Sequence, residues 1–416
     1  MSPTRICLVG CGGMGSRHIN GYAALENTGL SNVTLTAVCD VRRDNAEQVA
    51  AEAERALGHR PEIYLSVEDA LADQVADAYD VVTDASTHLP VVLPLLEAGQ
   101  HVLSEKPLAL TVRSGQRLID AAEASGAILA TAENYRRDPC NRLAKTVIDS
   151  GLLGQIFLLR QVAVGGSDRI LITPWRHLKD KGAIGLDMGV HFTDLFQYYL
   201  GPFESVFGHG FIAEPVRYRQ EKLEFDSAAY TRRHAEIPDQ ITATGEDSVV
   251  ATYTMRSGVT VQLAYIPSGP GAVYEQRTVH GRAGSLEIFK DRTGRAPILH
   301  RADGDLTGPE LAEAAGGLDL GPVTERLFGN GIGYDLPFAE VDAGLLAIEI
   351  HDFAAAIQDK RPPEVDGRLG LTSVAALLAA YESGLTRRPV PIAAVLDGTV
   401  AQYQADIDAG LGLLLP

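Results

Sequence analysis

The chain has 416 residues, which is too long for one small hydrophobic core and predicts two domains. Its 45% hydrophobic and 22% charged residues are ordinary globular values and exclude a disordered or fibrous chain. The formal net charge of −18 argues against nucleic acid and anionic membrane surfaces as partners, because both attract proteins rich in Lys and Arg.

The chain contains four cysteines, Cys7, Cys11, Cys39 and Cys140, which form neither C-x-x-C pairs nor zinc-type spacings with histidine. We therefore expect reduced, buried thiols and no bound metal. No secretory h-region precedes the first predicted strand, and no run of about 18 apolar residues occurs. These features predict a cytoplasmic protein without a membrane span.

The first predicted strand, Thr4–Val9, leads through a glycine-rich turn into a predicted helix over 14–27. The turn has G-x-G-x-x-G spacing and comprises Gly10, Cys11, Gly12, Gly13, Met14 and Gly15. Glycines permit the tight turn and the close approach of a pyrophosphate, while N–H groups at the helix start face the ligand. The pattern predicts that this turn binds a dinucleotide.

A second predicted strand, over 33–39, ends at an acidic residue, Asp40. Such an acid accepts hydrogen bonds from the ribose hydroxyls of NAD and repels the 2′-phosphate of NADP. Arg42 and Arg43 follow directly and are able to pair with such a phosphate, which leaves NADP open. The sequence predicts NAD as the cofactor and includes Arg42 among the residues near it.

Strands and helices alternate throughout the N-terminal region. Further strands are predicted over 79–83, 101–104 and 128–131, and further helices over 43–57, 88–98, 111–125 and, shorter, near 66–74. This alternation predicts right-handed crossovers and a parallel sheet that is covered on both faces. We expect residues 1–134 to form a Rossmann domain, whose ligand binds at the carboxyl ends of the strands.

The pattern changes after Tyr135. Helices are predicted over 139–150, 184–200, 339–359 and 369–383, and strands over 155–164, 248–253, 260–265 and 272–280. Glycine-containing turns join these strands, which is typical of an antiparallel sheet. We expect residues 135–416 to form an α+β domain with a mostly antiparallel sheet, so that the whole chain is α/β.

Two polar stretches in the second domain, 214–246 and 291–335, are interpreted as insertions. The first is dense in charge and contains Arg217, Arg219, Glu221, Lys222, Glu224, Arg232 and Arg233. Charged runs are usually solvated, so we assign this stretch to the surface.

The strand over 79–83 ends in a polar turn that leads into the next helix. At the carboxyl edge of the sheet, Thr83 and His88 would face the cofactor. Alternatively, Thr87 caps the helix and His88 merely faces solvent. The residues alone leave both interpretations open.

A charged pair, Glu105 and Lys106, follows the strand over 101–104 and precedes Pro107. The proline biases the preceding residue toward an extended conformation and so directs Lys106 at the carboxyl edge. A lysine there is able to hydrogen-bond a substrate hydroxyl or to transfer a proton. The alternative is a surface ion pair, which contributes little.

Asp187 and His191 lie four residues apart in the helix over 184–200, hence on one face. A carboxylate beside an imidazole fixes its orientation, which suits His191 to accept a hydroxyl proton. The alternative is a purely structural pair. No third ligand for zinc is in view.

Together, the glycine turn, the Glu105-Lys106-Pro107 segment and the D-x-G-x-H pattern that ends at His191 resemble the Gfo/Idh/MocA family of oxidoreductases. The resemblance covers most of the chain. It implies that Lys106, Asp187 and His191 are catalytic and that Thr83, His88, Glu105 and Lys106 lie near the cofactor. It also implies an open C-terminal sheet that often serves oligomerisation, so we expect a dimer or tetramer.

The chain departs from the family pattern in three places. Asp84 stands where members commonly have proline, and the glycine run before the catalytic aspartate is reduced to Gly182-Ala183-Ile184-Gly185. The two insertions also make the chain longer than typical members. The substrate therefore does not follow from the resemblance.

The combined pattern predicts an NAD-dependent oxidoreductase that transfers hydride between a secondary alcohol of a sugar, inositol or related polyol and the nicotinamide, in a pocket between the domains. His191 would accept the proton of the substrate hydroxyl, and Asp187 would orient the imidazole of His191. Lys106 would polarise the oxygen of that hydroxyl. The residues predicted to contact substrate are Tyr135, Arg136, Trp175, Arg176, Asp187 and His191. Three alternatives stay open: transient redox chemistry for glycoside cleavage or elimination, a biosynthetic keto-sugar reductase, and a dinucleotide sensor without chemistry.

Overall fold

Six parallel strands form the sheet of the first unit of this computed structural model, which describes residues 2–221 and 234–414. The strands are β1 (Thr4–Val9), β2 (Val33–Cys39), β3 (Glu62–Tyr64), β4 (Ala78–Val81), β5 (His101–Glu105) and β6 (Leu129–Ala132). Their order, β3-β2-β1-β4-β5-β6, is that of a Rossmann fold with its switch point between β1 and β4. The predicted Rossmann fold is confirmed.

Helices connect these strands and cover the sheet. They are α1 (Gly13–Asn27), α2 (Arg43–Leu57), α3 (Val67–Ala72), α4 (His88–Glu97) and α5 (Val112–Ser125). Ile6, Cys7 and Leu8 of β1 are fully buried, as expected of a strand with helices on both faces. Strand β3 was not predicted, because three partly exposed residues carry too little periodicity.

The second unit is built on a mixed, mostly antiparallel sheet. Its strands are β7 (Ile156–Val164), β8 (Phe203–Phe211), β9 (Val216–Tyr218), β10 (Gln240–Thr242), β11 (Ser248–Met255), β12 (Thr260–Ile266), β13 (Tyr274–Gly281), β14 (Ser285–Ile288), β15 (Ile298–His300), β16 (Leu306–Thr307) and β17 (Val390–Pro391). Nine of them pair in the order β16-β15-β14-β13-β7-β12-β11-β8-β17, while β9 and β10 pair separately. Strands β7 and β12 run parallel, and the other neighbours are antiparallel. The predicted fold class is confirmed.

The remaining helices complete the two units. They are α6 (Pro139–Asp149), α7 (Ala183–Leu200), α8 (Gly308–Ala314), α9 (Gly321–Phe328), α10 (Phe338–Asp359), α11 (Gly367–Thr386), α12 (Ile392–Leu396) and α13 (Ala405–Gly410). By their contacts, described residues of the first unit are 2–134, 221, 234–237 and 339–371, and those of the second are 135–220, 238–338 and 372–414. Nearly all of α10 thus belongs to the first unit, where Asp342 accepts a hydrogen bond of 2.7 Å from Arg17 of α1.

The nine-stranded sheet has one buried and one exposed face. In β11, Val249, Ala251 and Tyr253 are buried, whereas the alternating Val250, Thr252 and Thr254 are exposed. The buried face packs on α7, where the rings of Phe196 and Tyr253 lie 6.0 Å apart. Period-two alternation in the sequence therefore corresponds to the two faces of the sheet.

Both polar stretches contain regular structure, including β9 and β10 in the first and β15, β16, α8 and α9 in the second. Arg217 is fully buried, and its guanidinium binds Asp247 at 2.6 Å. Assigning this charge to the solvated surface was therefore wrong at Arg217, because Asp247 supplies the counter-charge that burial requires. Lys222, Glu224, Arg232 and Arg233 lie outside the described residues.

In the part of the chain that the structure describes, α11 is the one helix that is long and apolar enough to cross a membrane. However, 72% of its apolar window is buried inside the fold. Its Ser373 carbonyl accepts a hydrogen bond of 2.8 Å from Thr193 of α7. We therefore assign α11 to the core.

The four cysteines are free and buried. Burial raises the pKa of each thiol above its ordinary value, which keeps these groups protonated near neutral pH. They therefore act as small apolar core residues.

Candidate active site

The glycine turn follows β1 at the switch point of the Rossmann sheet, where the chain must turn sharply. Gly10 has a φ of 103°, which favours glycine, and a Cβ at this position would lie 3.0 Å from Thr83. A Cβ on Gly15 would lie 2.4 Å from the carbonyl oxygen of Gly10. No described side chain caps α1 at Gly12, so the N–H groups of its first turn are able to bind a phosphate.

Two buried hydroxyl groups beside this turn are available to hydrogen-bond a ligand. Thr83 Oγ1 and Ser16 Oγ are buried and have no hydrogen-bond partner among the described residues. Buried hydroxyls in folded proteins are normally hydrogen-bonded. Together with the glycine cradle, they fit the phosphates and ribose of a dinucleotide.

Asp40 lies at the end of β2 and supports the glycine turn. Its Oδ2 accepts a hydrogen bond of 2.7 Å from Cys11 N, and its Oδ1 accepts one of 2.8 Å from Arg42 N. Asn45 Nδ2 also donates to Oδ1, at 3.4 Å, so Oδ2 is the oxygen that retains a further lone pair for a ribose hydroxyl. The Arg42 guanidinium pairs with Asp44 at 3.1 Å and with Glu236 at 3.4 Å, so acids already neutralise this cation. This arrangement favours NAD over NADP.

The turn after β4 carries Thr83 and leads into α4, which begins at His88. His88 is fully buried, with Nδ1 at 3.1 Å from Pro107 O and Nε2 at 3.2 Å from Thr83 O. Burial lowers the pKa of His88, so the imidazole is neutral near pH 7. The interpretation of His88 as a solvent-facing residue is therefore wrong. The carboxylate of Asp84 forms a local hydrogen bond, in which Oδ1 accepts from Ser86 N at 3.2 Å.

Glu105 ends β5 inside the protein, where it is only 5% exposed. Its Oε1 lies 3.3 Å from Nε2 of His18, and its Oε2 accepts a hydrogen bond of 3.0 Å from Lys106 N. Burial disfavours the carboxylate, but the hydrogen bond and charge of His18 lower the pKa of Glu105 below its ordinary value. Glu105 is therefore a buried anion and not part of a surface ion pair.

His18 of α1 lies between two carboxylates. Its Nδ1 donates to Asp80 Oδ2 at 2.8 Å, and the same oxygen accepts a hydrogen bond of 2.8 Å from Tyr22. Burial alone would lower the pKa of His18, but the charges and hydrogen bonds of Asp80 and Glu105 raise it well above 6.5. Sequence reasoning missed this cluster, although His18 and Tyr22 lie one helical turn apart just after the glycine turn.

Lys106 is the single residue between Val102 and Leu110 that is not buried. It directly follows the buried Glu105, and its peptide bond with Pro107 is cis. Lys106 therefore lies at the accessible carboxyl end of β5, where the sequence predicted it.

Helix α7 carries both candidate acid–base residues in buried positions, with Asp187 3% and His191 2% exposed. Asp187 Oδ2 accepts a hydrogen bond of 2.9 Å from Arg176 Nε. The guanidinium of Arg176 also donates to Thr173 at 2.8 Å and lies 4.3 Å from the ring centroid of Trp175. Arg176 therefore holds the Asp187 carboxylate, a contact that sequence reasoning did not predict.

Tyr135 and Arg136 lie in a short 3-10 turn before α6. The ring of Tyr135 stacks on the imidazole of His191, with centroids 3.9 Å apart and planes 5° apart. Arg136 is buried and forms two hydrogen bonds with Asp194, of 2.7 and 2.6 Å. Contact of these residues with substrate stays a prediction.

Two family models match the chain. The model described as the oxidoreductase family with an NAD-binding Rossmann fold matches residues 4–133. The GFO/IDH/MocA C-terminal domain matches residues 141–287. Together they span more than half of the chain and confirm the predictions of an oxidoreductase and of NAD.

Individual proteins match over most of their length. Levoglucosan dehydrogenase of Pseudarthrobacter phenanthrenivorans is 26% identical over 368 residues, covering 86% of this chain and 90% of that protein. 1,5-Anhydro-D-fructose reductase of Ensifer adhaerens is 26% identical over 375 residues, covering 88% and 93%. An NAD-binding oxidoreductase from Klebsiella pneumoniae, at 23% identity, has a TM-score of 0.77 and covers 94% of this chain and 99% of its own. This last similarity shows the shared fold.

We predict that His18→Gln destabilises the protein, because it leaves two buried carboxylates without their counter-ion. Breaking a buried ion pair in this way costs about 3–5 kcal/mol. Since the folded-state pKa of His18 is raised above its unfolded value of about 6.5, its stabilisation is complete below that value. The stabilisation is then lost as pH rises through the folded-state pKa.

Melting temperatures measured by calorimetry between about pH 6 and about pH 10 test this prediction. The melting temperature of wild type should fall as pH rises, because His18 loses its proton. This fall should be absent from the pH profile of His18→Gln. His59→Gln, at an exposed histidine of the same unit, is the matched control. A His18→Gln profile parallel to that of wild type would contradict a charged His18.

Proposed function

We propose that this chain, which belongs to the Gfo/Idh/MocA family of oxidoreductases, transfers hydride between NAD and a secondary alcohol of a sugar, inositol or related polyol. The observation that carries the proposal is the buried pair of Asp187 and His191 on α7, in a chain whose first unit contains the NAD-binding turn. The similarity to levoglucosan dehydrogenase supports the substrate class. Residues 1–134 are proposed as the cofactor domain and 135–416 as the substrate domain.

The first unit supplies the residues proposed to hold the cofactor. NAD, when bound, accepts or returns hydride at its nicotinamide ring. N–H groups of the glycine turn would hold the pyrophosphate and Asp40 would bind the ribose, while His88 would act through the backbone that carries Thr83. The full proposed set is Gly10, Gly12, Gly13, Met14, Gly15, Asp40, Arg42, Thr83, His88, Glu105 and Lys106.

The acid–base chemistry is assigned to three residues. His191 takes the proton from the substrate hydroxyl as hydride leaves the same carbon. The ammonium of Lys106 stabilises the negative charge that develops on the oxygen. Asp187, held by Arg176, stabilises the imidazolium that forms on His191. In the reverse direction, the same residues return the proton.

Reduction of a keto-sugar is the second candidate function. It uses the same residues in the opposite direction, and the similarity to 1,5-anhydro-D-fructose reductase over 88% of the chain favours it. Measuring both directions distinguishes the two functions.

We also propose that the chain forms a homo-oligomer, a dimer or tetramer, in the cytoplasm. Uncharged side chains such as Val250, Thr252 and Thr254 on the exposed face of the nine-stranded sheet suit coverage by a second copy. Buried, unpaired cysteines fit a reducing compartment.

The function is tested with a panel of sugars, inositols and polyols plus NAD, followed at the absorbance of NADH. We expect NADH to form with at least one member, and the corresponding ketone to be reduced by NADH. Consumption of a glycoside without net NADH would instead indicate transient redox chemistry. NAD binding without conversion of any panel member would favour a sensor.

His191→Ala and Lys106→Ala should each lower kcat by roughly 10²–10⁴-fold, because each removes a positioned proton-transfer or oxyanion-stabilising group. The matched controls are His209→Ala and Lys290→Ala, which replace exposed residues of the same types. Steady-state kinetics at saturating substrate measures the effect. Near-normal turnover in either variant would remove that residue from the mechanism.

Asp40→Ser should raise the NADP to NAD ratio of kcat/KM by about tenfold or more, because it removes the carboxylate that repels a 2′-phosphate. Initial rates with the two cofactors measure the ratio. Glu54→Gln, an exposed acid on α2, is the control. A ratio unchanged from wild type would show that Asp40 does not determine cofactor choice.

A further inference from the structure

The ring of Tyr135 contacts both an imidazole and a cation. It stacks parallel to His191 at 3.9 Å between centroids. The guanidinium carbon of Arg292 lies over the same ring at 4.7 Å from its centroid. Tyr135 is only 8% exposed, so these neighbours and the surrounding core cover it almost completely.

Arg292 is held in place by its backbone. Its φ of 63° is uncommon for a residue other than glycine, and its N–H donates to Asp138 Oδ2 at 2.8 Å. The preceding Asp291 binds Arg277 at 2.7 Å. Asp138 N in turn donates to the carbonyl of Tyr135 at 3.2 Å. One buried acid, Asp138, thus connects the backbones that carry both Arg292 and Tyr135.

We propose that Tyr135 and Arg292 are positioning residues that hold the imidazole of His191 in the orientation that proton transfer requires. A parallel ring at contact distance restricts rotation of the imidazole. The cation over the tyrosine ring, anchored through Asp138, restricts that ring in turn. The inference rests on the proposed role of His191 as proton acceptor, and it assigns a role to the stretch 291–335.

The main alternative is that Tyr135 binds the substrate, as the sequence predicted from the affinity of aromatic faces for sugars. Its low exposure and the two groups over its ring leave little of that ring for a ligand. Trp175 is partly exposed by comparison and is the better placed aromatic residue for such contact. The geometry therefore favours positioning.

The kinetic experiment compares Tyr135→Phe, Tyr135→Leu and Arg292→Gln, using the polyol that wild type oxidises. Tyr135→Phe keeps the ring and should stay within about twofold of wild type. Tyr135→Leu should lower kcat roughly tenfold to a hundredfold with little change in KM, because a misplaced base affects the chemical step. Arg292→Gln should lower kcat by a smaller factor. Phe157→Leu, at an exposed aromatic residue of β7, is the control.

The second experiment needs neither substrate nor cofactor. Histidine is isotopically labelled, and the NMR signal of His191 is identified by its loss in His191→Asn. The ring current of the stacked aromatic side chain should shift this signal upfield in wild type and in Tyr135→Phe. The upfield shift should be lost in Tyr135→Leu, which has no aromatic ring. If no polyol is oxidised, the proposed function fails while this measurement still tests the stack.

An unchanged His191 signal in Tyr135→Leu would overturn the proposal. A raised KM with unchanged kcat in Tyr135→Leu would overturn the proposal by assigning Tyr135 to substrate binding. An equal loss of kcat in Tyr135→Phe and Tyr135→Leu would overturn it by assigning the role to the tyrosine hydroxyl. Should Tyr135→Leu fail to fold, as judged by its melting curve, Arg292→Gln decides. A wild-type kcat together with a wild-type His191 signal in Arg292→Gln would then overturn the proposal.

Discussion

Buried charge must be compensated, and this constraint determines how the candidate site residues are arranged in each of the two units. Removing a carboxylate from water costs several kcal/mol unless a cation or several donors accompany it. Glu105 and Asp80 share the imidazolium of His18, and Asp187 is bound by Arg176. Each of these acids is thereby held in one place, and His18 lowers the pKa of Glu105 below its ordinary value.

In the first unit, this compensation connects the glycine turn to the lysine. His18 lies in the second turn of the helix that starts at Gly13, and Glu105 is the residue before Lys106. The cation between them therefore couples the helix proposed to hold the pyrophosphate to the strand end that is followed by Lys106. A change at His18 would disturb both, although neither the cofactor nor the substrate contacts it in the proposed mechanism.

In the second unit, side chains from separate segments support α7. Arg176, from the turn before the helix, binds Asp187, and Tyr135 stacks on His191. Arg292 extends this support from a stretch that looked like an insertion. These contacts restrict the rotamers open to Asp187 and His191, which is the preorganisation that their proposed acid–base role requires.

The sequence by itself determined the alternating strands and helices of a Rossmann domain, the glycine turn, Asp40 and the helix that carries Asp187 and His191, because periodicity and short spacings are local properties of the chain. Only the tertiary structure decided that His88 and Arg217 are buried, that Arg176 binds Asp187 and that Arg292 reaches Tyr135. These outcomes depend on which charged or aromatic side chains meet after folding. Spacing along the chain does not predict these contacts, since the partners come from separate elements. The burial of a side chain likewise depends on all the residues that pack around it in the folded protein.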